Sequence, residues 1–376
     1  RLKIVEDKTK KLSYIFNLGW KSSDPKAEIF AYCADDTEPD TDWLKYAAAY
    51  LKDNPECGGV SGPTLATTNP PGEMFALRDL MKKNLLTRFI LRLYEYFVME
   101  DKTLEPGHWP ESGAFTMGAG IPLPHIRKPL EIDLLTSGNM AVTREALASV
   151  NGFDENFLFN HADGDLFIRL KKKGWRLVFH PLVKVLHHMR FGPTRYPEIM
   201  GRDTAFYYLK DVRPHSLRGW IGYLMNLGVF LTYWIFKSRQ TRDLRQLRGI
   251  SGFGQGIVDF FKTKTPERDE LLKTLLTIFG FLLLFGQAFR KLPMVGMLSY
   301  GDGTPFPGTA GEAFRTFFSA FDTRSPGLSM PQIPVLSVLT FFEGILITLC
   351  GGNAILAQYL FHWLPLPSAF IAFYFV

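Results

Sequence analysis

The stretch that decides the fold is Thr136–His188, which reads TSGNMAVTREALASVNGFDENFLFNHADGDLFIRLKKKGWRLVFHPLVKVLHH. It opens with a turn of small residues, continues through a short helical run and turns again at a Gly-Phe-Asp-Glu sequence. An acidic pair, Asp163 and Asp165, then stands at the mouth of a basic amphipathic helix, where the helix dipole and free amides favour negative charge. A β-like run over 176–186 ends in the pair His187-His188, at a position where loops usually present chemistry.

Each of these features also has an ordinary structural interpretation. Acids at a helix start most often cap the helix, and an isolated Asp-x-Asp pair indicates nothing more than a cap. Two histidines after a strand are likewise more often a polar strand end than a pair of ligands. The order and spacing of the features across the whole stretch favour a functional site over these interpretations.

The stretch resembles the second half of the inverting family-2 glycosyltransferases, whose nucleotide-binding domain has the GT-A fold. The matching residues, in the order the family has them, are Gly138-Asn139-Met140, Gly152-Phe153-Asp154-Glu155, Asp163-Gly164-Asp165-Leu166, Arg169-Leu170, Gly174, Pro181 and His187. The resemblance implies an α/β fold, a Rossmann-like GT-A domain that binds a nucleotide sugar. The family's first nucleotide-binding strands have no counterpart in this chain, so we expect a domain that is truncated at its N-terminus.

In this family the first Asp of an E-D-x-D sequence is the base that deprotonates the acceptor hydroxyl, and the matching residue is Asp163. A carboxylate at a helix start suits this role where substrate binding desolvates it. The family's preceding Glu is replaced here by Ala162, with His161 beside it. The resemblance therefore places His161 and Asp165 on the acceptor side, with Asp165 orienting the helix or a neighbour.

A second acidic sequence follows the apolar run Ala27–Ala34, whose length suits a buried parallel strand. Open α/β sheets bind ligands at the carboxyl ends of such strands, and a diphosphate commonly needs a divalent metal held by carboxylates. The family has an Asp-x-Asp motif here, whereas this chain has Ala34-Asp35-Asp36. The resemblance implies that Asp36 binds Mn²⁺ or Mg²⁺ with Asp35 as a helper, and Ala34 leaves the dependence on metal open. An ordinary turn with solvated acids is the alternative.

The resemblance assigns further residues to the donor. His187 matches the histidine that completes the family's metal or diphosphate site, so it is the second predicted metal ligand beside Asp36. Arg190 could neutralise phosphate, and small residues at the turn would let the backbone approach the sugar closely. The predicted donor site consists of Asp35, Asp36, Gly138, Asn139, His187 and Arg190.

The composition narrows the class of partner. Of the 376 residues, 46% are hydrophobic and 14% aromatic, and the formal net charge is +6. A basic chain this rich in aromatic residues suggests an anionic membrane surface or phosphate-bearing substrates before nucleic acid. Because Cys33, Cys57 and Cys350 lie far apart in the sequence, we expect reduced, buried thiols and neither a disulfide framework nor a zinc site.

A long insertion over 63–133 follows an expected strand at Gly58–Gly62. Within the insertion, residues 82–97 have the period of a helix, with basic residues on one side and apolar residues on the other. Such a helix fits a membrane surface or ordinary packing on the core, and both interpretations stay open. Gly118–Gly120 and the prolines up to Pro129 predict a flexible loop over the acceptor site.

Beyond residue 215 the chain resembles a membrane module. Residues 220–236 are apolar enough to span, but the cations that follow would then face outward, so we interpret 216–270 as juxtamembrane in-plane helices and linker. We expect transmembrane helices over 271–376, with an outer loop over 290–332. That loop resembles the first outer loop of lipid-phosphate-sugar membrane glycosyltransferases, whose catalytic acid is matched by Asp302. A turn Asp in a Gly-rich loop is the alternative.

The leading hypothesis is a multi-pass protein of the cell membrane. Its cytoplasmic domain, residues 1–215, would move a sugar from a nucleotide donor to a lipid-linked or envelope glycan acceptor. Because the chain begins inside this domain and stops inside an apolar run, we expect a fragment that lacks both ends. The alternative is a catalytically inactive carbohydrate-binding or scaffold domain serving the membrane module, which Ala34 and Ala162 favour. A transporter with a soluble domain is a third hypothesis, supported only by the predicted spans.

Overall fold

The computed structural model describes residue 9 and residues 11–188, 193–290, 309–319, 342–354 and 356–357. The chain divides into two compact units, Arg1–Arg268 and Asp269–Val376. The first unit is a mixed α/β structure, as the sequence predicts, and its strands form two sheets. The strands are β1 (Ile29–Cys33), β2 (Thr37–Pro39), β3 (Cys57–Ser61), β4 (Thr64–Ala66), β5 (Leu130–Ile132), β6 (Asn139–Thr143), β7 (Arg176–Phe179) and β8 (Val185–His187).

The larger sheet has five strands in the order β1-β6-β3-β7-β5. β6 runs antiparallel to both β1 and β3, whereas β3 and β7 are parallel. The strands β1, β3 and β7 therefore point the same way, and their carboxyl ends share one edge with the start of β6.

Strand β1 corrects the expectation of a buried parallel strand. Among the residues that the structure describes, β1 pairs only with β6, and it does so antiparallel. It is thus an outer strand, and Ala31 and Cys33 are exposed. The three cysteines are free, as expected, but only Cys57 is fully buried.

The smaller sheet has the order β2-β8-β4, with β8 antiparallel to β2 and parallel to β4. The prediction of one β-like run over 176–186 is therefore wrong, because β7 and β8 belong to different sheets. A turn separates them, in which the Val183 N–H donates to the His180 carbonyl at 3.0 Å. The chain passes from the larger sheet to the smaller one at the edge where β7 ends.

Some of the helices pack against strands of the larger sheet. The helices that begin in the first unit are α1 (Leu12–Lys21), α2 (Trp43–Asp53), α3 (Glu73–Met81), α4 (Leu85–Phe97), α5 (Arg144–Ser149), α6 (Ala162–Lys172), α7 (Pro197–Lys210), α8 (Leu217–Thr241), α9 (Arg248–Lys262) and α10 (Pro266–Arg290). Buried side chains of α2, including Trp43 and Leu51, pack on Val60, Ala141 and Val178 of the central strands. This core fixes the strand ends from which the polar loops project.

Helix α4 lies in the long insertion and matches the helix predicted over 82–97. Its first turn is capped by Asn84, whose side chain accepts a hydrogen bond from the Thr87 N–H at 3.1 Å. One side of the helix packs against α8. The other side leaves Leu85, Leu86 and Phe89 uncovered, with 80%, 68% and 61% of their surfaces exposed. Core packing therefore accounts for only one side of this amphipathic helix.

Helix α9 lies close along α7 because glycines face the contact. An ideal Cβ on Gly252 would lie 2.1 Å from the Glu198 carbonyl oxygen, and one on Gly256 would lie 2.1 Å from that of Arg202. Any side chain at these positions would separate the helices. The approach covers one side of α7, and the charged residues Asp203 and Lys210 of this helix are also buried.

The region predicted to enter the membrane is described in part. Helix α10 covers residue 271, where we expect the first span to begin, and α11 (Ala310–Ser319) and residues 342–349 are also helical. Within the described ranges, α8 is the one helix whose length and composition would allow it to cross a bilayer. Most of the outer loop predicted over 290–332 lies outside the described residues.

Candidate active site

The residues predicted to bind the donor follow β1 and precede β6, which are neighbours in the larger sheet. Cys33 at the end of β1 is paired with Asn139 at the start of β6. The turn that carries Asp36 therefore lies beside Gly138, and the Thr37 hydroxyl hydrogen-bonds the Gly138 carbonyl at 3.5 Å. The structure thus brings the acidic turn and the small-residue turn together at the edge where β1, β3 and β7 end.

His187 reaches this edge from the smaller sheet. Antiparallel pairing of β2 with β8 sets Thr37 opposite His187, and the His188 N–H donates to the Asp36 carbonyl at 2.8 Å. The His187 Nε2 atom then lies 3.3 Å from Asp36 Oδ2. Their side chains are 29% and 51% exposed, so a ligand can reach both. The two predicted metal ligands are therefore neighbours, although far apart in sequence.

A carboxylate oxygen and an imidazole nitrogen form a donor set that Mn²⁺ accepts, but they do not complete its coordination. Across the described ranges, no three His, Cys, Asp or Glu side chains converge as a possible metal site. Ala34 stands where the family has another acid, and Asp35 is exposed. Asp36 and His187 thus fit a metal whose other ligands are diphosphate oxygens and water.

The Asn139 side chain has a structural role beside this site. Its side chain is fully buried, and Nδ2 donates to the carbonyls of Gly62 and Val183, each at 3.0 Å. Its Oδ1 accepts from Trp43 Nε1 at 2.6 Å. These bonds engage the amide, so Asn139 ties β6 to the segments that follow β3 and β7. Its backbone N–H is also used, because it donates to the Thr136 carbonyl at 2.9 Å. At Gly138, an ideal Cβ would lie no closer than 3.5 Å to any atom, so packing alone does not require glycine there.

Asp163 lies in the first turn of α6. The chain reverses from α6 into β7 at Gly174, which has φ 88°. The first turn of α6 consequently lies toward the edge where β7 ends, which is also the edge that carries Asp36. Asp163 is half-buried, and no hydrogen bond or ion pair joins its carboxylate to another described residue. That carboxylate is available to accept a proton.

Asp165, two residues further on, is fully buried and fully paired. Arg169 donates to its Oδ2 from Nε at 2.8 Å and from Nη2 at 2.6 Å, and Lys210 of α7 donates to its Oδ1. Lys210 also pairs with Asp154 at 2.6 Å. Desolvation lowers the pKa of Lys210, but the carboxylates of Asp165, Asp211 and Asp154 outweigh it, so the pKa is raised. Asp165 therefore fastens α6 to α7 from the interior.

His161 precedes α6 in a left-handed backbone conformation with φ 60°. Its ring stacks on Tyr207 with 4.4 Å between centroids and 7° between planes. Because the Thr204 hydroxyl gives its proton to the Met200 carbonyl at 2.8 Å, His161 Nε2–H must donate to Thr204 at 3.1 Å. Desolvation lowers the pKa of His161 to about 3, so the ring is neutral near pH 7.

Sequence analysis does not identify Asp203, although it shapes the approach to α6. Its buried carboxylate accepts from the backbone N–H groups of Leu158, Phe159 and Asn160 at 3.0, 2.7 and 2.9 Å. Arg202 Nη1 donates to the other oxygen at 2.8 Å. Asp203 thus holds the loop that leads into the first turn of α6. No local pattern in the sequence distinguishes Asp203 from the other charged residues of α7, Glu198, Arg202 and Lys210.

The Gly-Phe-Asp-Glu turn, residues 152–155, has a structural role. Gly152 has φ 72°, and an ideal Cβ there would lie 2.3 Å from Asn17 Oδ1. Asn17 exchanges two hydrogen bonds with the Phe153 backbone, each of 2.9 Å. A cleft of about 400 Å³ adjoins this turn, and two of the three cations that line it, Arg169 and Lys210, are already paired with Asp165, while the third is Lys21. This part of the motif joins α1 to the α6 region.

Two predicted site residues cannot be placed. Arg190, expected at the phosphates, and Asp302, the candidate in the second module, lie outside the described residues. Their assigned roles stay predictions from the sequence.

Comparison with known proteins gives a short, specific similarity. No family model matches the chain. Over 63 residues, or 17% of this chain, it is 40% identical to the N-acetylglucosaminyl-diphospho-decaprenol L-rhamnosyltransferase of Mycobacterium tuberculosis, in strains CDC 1551 / Oshkosh and ATCC 25618 / H37Rv. The matched segment is 20% of those proteins, so the chain spans about a fifth of the length of the curated relatives it matches.

Among solved structures, the chain is similar to a mannosyltransferase from Pyrobaculum calidifontis in complex with GDP-Man and Mn²⁺. The identity is 14%, 66% of each chain is covered, and the TM-score is 0.32. The local similarity to the mycobacterial enzymes supports the prediction of a glycosyltransferase domain in this chain.

Proposed function

We propose that residues 1–215 form a GT-A domain of the family-2 type, which transfers a sugar with inversion from a nucleotide-sugar donor. The observation that carries the proposal is the arrangement at one sheet edge. There the partly exposed Asp36–His187 pair lies beyond the end of β1. The carboxylate of Asp163, which has no hydrogen bond or ion pair among the described residues, lies in the first turn of α6, toward the end of β7. A donor diphosphate and an acceptor hydroxyl need these two kinds of group at one edge of the sheet.

Asp163 is the base in this proposal. Its carboxylate takes the proton from an acceptor hydroxyl, whose oxygen forms the new bond to the anomeric carbon of the donor. The bond from that carbon to the diphosphate oxygen breaks, and the nucleoside diphosphate leaves with the electron pair. Attack opposite the leaving group inverts the anomeric centre. A carboxylate already held in an ion pair, such as that of Asp165, could not do this without breaking the pair.

The diphosphate would lie against Asp35, Asp36, His187 and the backbone at Gly138, with Arg190 as a further partner. A bound Mn²⁺ or Mg²⁺ would neutralise diphosphate charge as it develops. Asp36 and His187 would hold that ion from one side, where both are exposed. In this arrangement the buried amide of Asn139 keeps the Gly138 turn in place.

The acceptor in this proposal is lipid-linked or a cell-envelope glycan, and the domain works at the cytoplasmic face of the membrane. The support is an uncovered apolar surface formed by α4 and α8, which pack together. On α4, Leu85 and Leu86 are exposed beside the exposed cations Lys82 and Arg88. On α8, Leu217 is 79% exposed at the other end of the helix pair, where Arg218 donates to the Tyr96 carbonyl. Apolar residues rimmed by cations suit an anionic bilayer surface.

The membrane part of the proposal has its own test. Vesicles of neutral lipid with and without an anionic lipid would be mixed with the full chain and sedimented. We expect Leu85→Glu with Leu86→Glu to weaken binding to anionic vesicles by about tenfold or more, because each buried aliphatic side chain stabilises the bound state by about 1.5–3 kcal/mol. Leu44→Glu, at a 54% exposed position of α2, is the matched control. Equal binding by both variants would contradict the membrane surface.

Catalysis is tested by nucleotide release from a panel of nucleotide sugars, with the full chain in membranes, in Mn²⁺ or in EDTA. We expect Asp163→Asn to lower turnover by about 10²- to 10⁴-fold, the usual contribution of a general base. Asp53→Asn, at an exposed acid at the end of α2, is the control and should retain turnover. Turnover that survives Asp163→Asn would exclude this residue as the base.

A catalytically inactive scaffold or carbohydrate-binding domain is the second candidate. Ala34 and Ala162 stand where the family has acids, and Asp36 with His187 supplies an incomplete metal shell. This candidate predicts no nucleotide release from any donor, in the wild type or in Asp163→Asn. The same assay therefore separates the two functions.

A further inference from the structure

Three aromatic rings stand against the first turn of α6. Tyr207 is fully buried, and the half-buried ring of His161 stacks on the Tyr207 ring. The Phe115 ring lies 5.3 Å from His161 and 5.6 Å from Tyr207, with interplanar angles of 25° and 31°. Phe115 is the outermost of the three, and 38% of its surface is exposed. An apolar ring is therefore held rigidly at the surface, next to the turn that carries Asp163.

The position of Phe115 depends on Gly164, the residue between the two acids. An ideal Cβ on Gly164 would lie 3.2 Å from Phe115 Cζ and 3.4 Å from Cε1. A side chain at this position would therefore push the ring away from the helix. The absence of a side chain between Asp163 and Asp165 brings an exposed ring within contact of the turn that carries the unpaired carboxylate.

We propose that Phe115 is the platform on which a sugar ring of the acceptor stacks, so that the hydroxyl to be glycosylated lies beside Asp163. The inference rests on the proposed function and specifies its acceptor as a glycan, whether free or attached to a lipid. A pyranose offers a flat face of C–H groups for an aromatic ring and hydroxyls at its rim for a carboxylate. His161 and Tyr207 fix the ring in advance, which lowers the entropy lost on binding.

Binding without catalysis is the first test. The full chain would be titrated by calorimetry with short alkyl glycosides of common pyranoses and, separately, with an alkyl phosphate of the same chain length. Phe115→Ala should weaken binding of the glycoside that the wild type prefers by about tenfold, and Phe115→Trp should retain it. Phe159→Ala is the matched control, because Phe159 is 43% exposed and contacts Tyr196 instead of His161.

Kinetics then separates positioning from folding. Phe115→Ala should raise the acceptor KM by about tenfold while donor hydrolysis without acceptor stays at the wild-type rate. Gly164→Ala should raise the same KM by displacing the ring, although alanine favours the helix.

Several outcomes would overturn the platform. Wild-type binding of the alkyl phosphate but of no glycoside would do so, as would equal loss of binding in Phe159→Ala and Phe115→Ala. These outcomes leave the proposed transferase intact if the wild type still releases nucleotide from a donor. A wild type that turns over no donor, yet loses glycoside binding in Phe115→Ala, would instead remove the transferase and keep the sugar platform.

Discussion

Two clusters of charge in the first unit both contain aspartates but differ in their contact with solvent. At the sheet edge, Asp36, His187 and Asp163 are partly exposed, and the one hydrogen bond or ion pair described for their side chains is the 3.3 Å pair between Asp36 and His187. Between α6 and α7, Asp165 and Lys210 are buried and saturated with ion pairs. The first cluster has charge left for a ligand, and the second uses all of its charge on the fold.

The buried cluster balances its own charge. The carboxylates of Asp154 and Asp165 face the cations Arg169 and Lys210. These two carboxylates face two cations, which is a condition under which buried ions are tolerated. Asp211 is buried nearby, and desolvation, together with the Asp165 carboxylate, raises its pKa. The buried acids near the motif therefore stabilise the fold, whereas the partly exposed ones can interact with a ligand.

The largest expected effect on folding is the difference between the same substitution, Asp to Asn, at the two motif acids. Asp165→Asn should lower the free energy of unfolding by about 3–5 kcal/mol, because Arg169 and Lys210 would stay buried with reduced compensation. Asp163→Asn should change it by less than about 0.5 kcal/mol, since that carboxylate has no described partner. Urea unfolding of both variants checks the contrast. Equal destabilisation would mean that the difference in burial has no energetic consequence.

A smaller effect is expected at Asp203, the buried acid that holds the loop leading into the first turn of α6. Asp203→Ala should cost about 1–3 kcal/mol and speed amide exchange at 158–160, because three N–H groups lose their acceptor. Asp259→Ala is the control, since Asp259 pairs with the neighbouring Arg202 but is 27% exposed, and should cost about 0–1 kcal/mol. Unchanged exchange at 158–160 in Asp203→Ala would contradict a positioning role.

Metal binding at the sheet edge can be tested by adding an acid beside Asp36 and His187. Ala34→Asp should tighten Mn²⁺ binding by about tenfold or more, because it supplies a ligand oxygen beside Asp36 and His187. Titration calorimetry with Mn²⁺ measures the change, and Ala27→Asp, at the far end of the same strand segment, is the control. Equal affinity in the wild type and both variants would argue against a metal at the Asp36–His187 pair.

A further contrast is a pH dependence of opposite sign at two histidines. The folded pKa of His161, at about 3, lies below its unfolded value, so its contribution to stability is full above pH ~6.5 and is lost as pH falls toward 3. For His108, desolvation lowers the pKa, but hydrogen bonds with Asp133 and Glu100 outweigh it and raise the pKa. Its contribution is full below pH ~6.5 and is lost as pH rises through the raised pKa.

Thermal unfolding across pH checks both signs. His161→Phe keeps a ring in the stack and should flatten the acid side of the stability profile. His108→Gln should flatten the side above pH ~6.5 and leave the acid side unchanged. A profile that keeps its acid slope in His161→Phe would assign that slope to other groups.

Much of the site could be predicted from the sequence because local spacing sets local structure. The helix that begins with the acids, the strand near Gly58–Gly62 and the helix over 82–97 all follow from period and composition, and the structure has each of them. The family resemblance assigned Asp36 and His187 to one site, and the structure has their side chains 3.3 Å apart. Their role as metal ligands stays a prediction.

Other features depend on partners that no local pattern reveals. The run over 176–186 divides between two sheets because β7 pairs with β3 whereas β8 pairs with β2 and β4. Asn139 looks like a ligand residue in sequence, but its amide is consumed by backbone carbonyls brought from elsewhere in the chain.

The sequence by itself determined which segments become helices and strands and which polar residues stand at their ends, because those properties depend on neighbours along the chain. Only the tertiary structure decided which of those residues are free. Asp163 and Asp165 are chemically identical and two positions apart, yet Lys210 of α7 reaches one and not the other. Burial and pairing depend on which helices pack together. The distinction between acids that stabilise the fold and acids that can react therefore arises only in the folded chain.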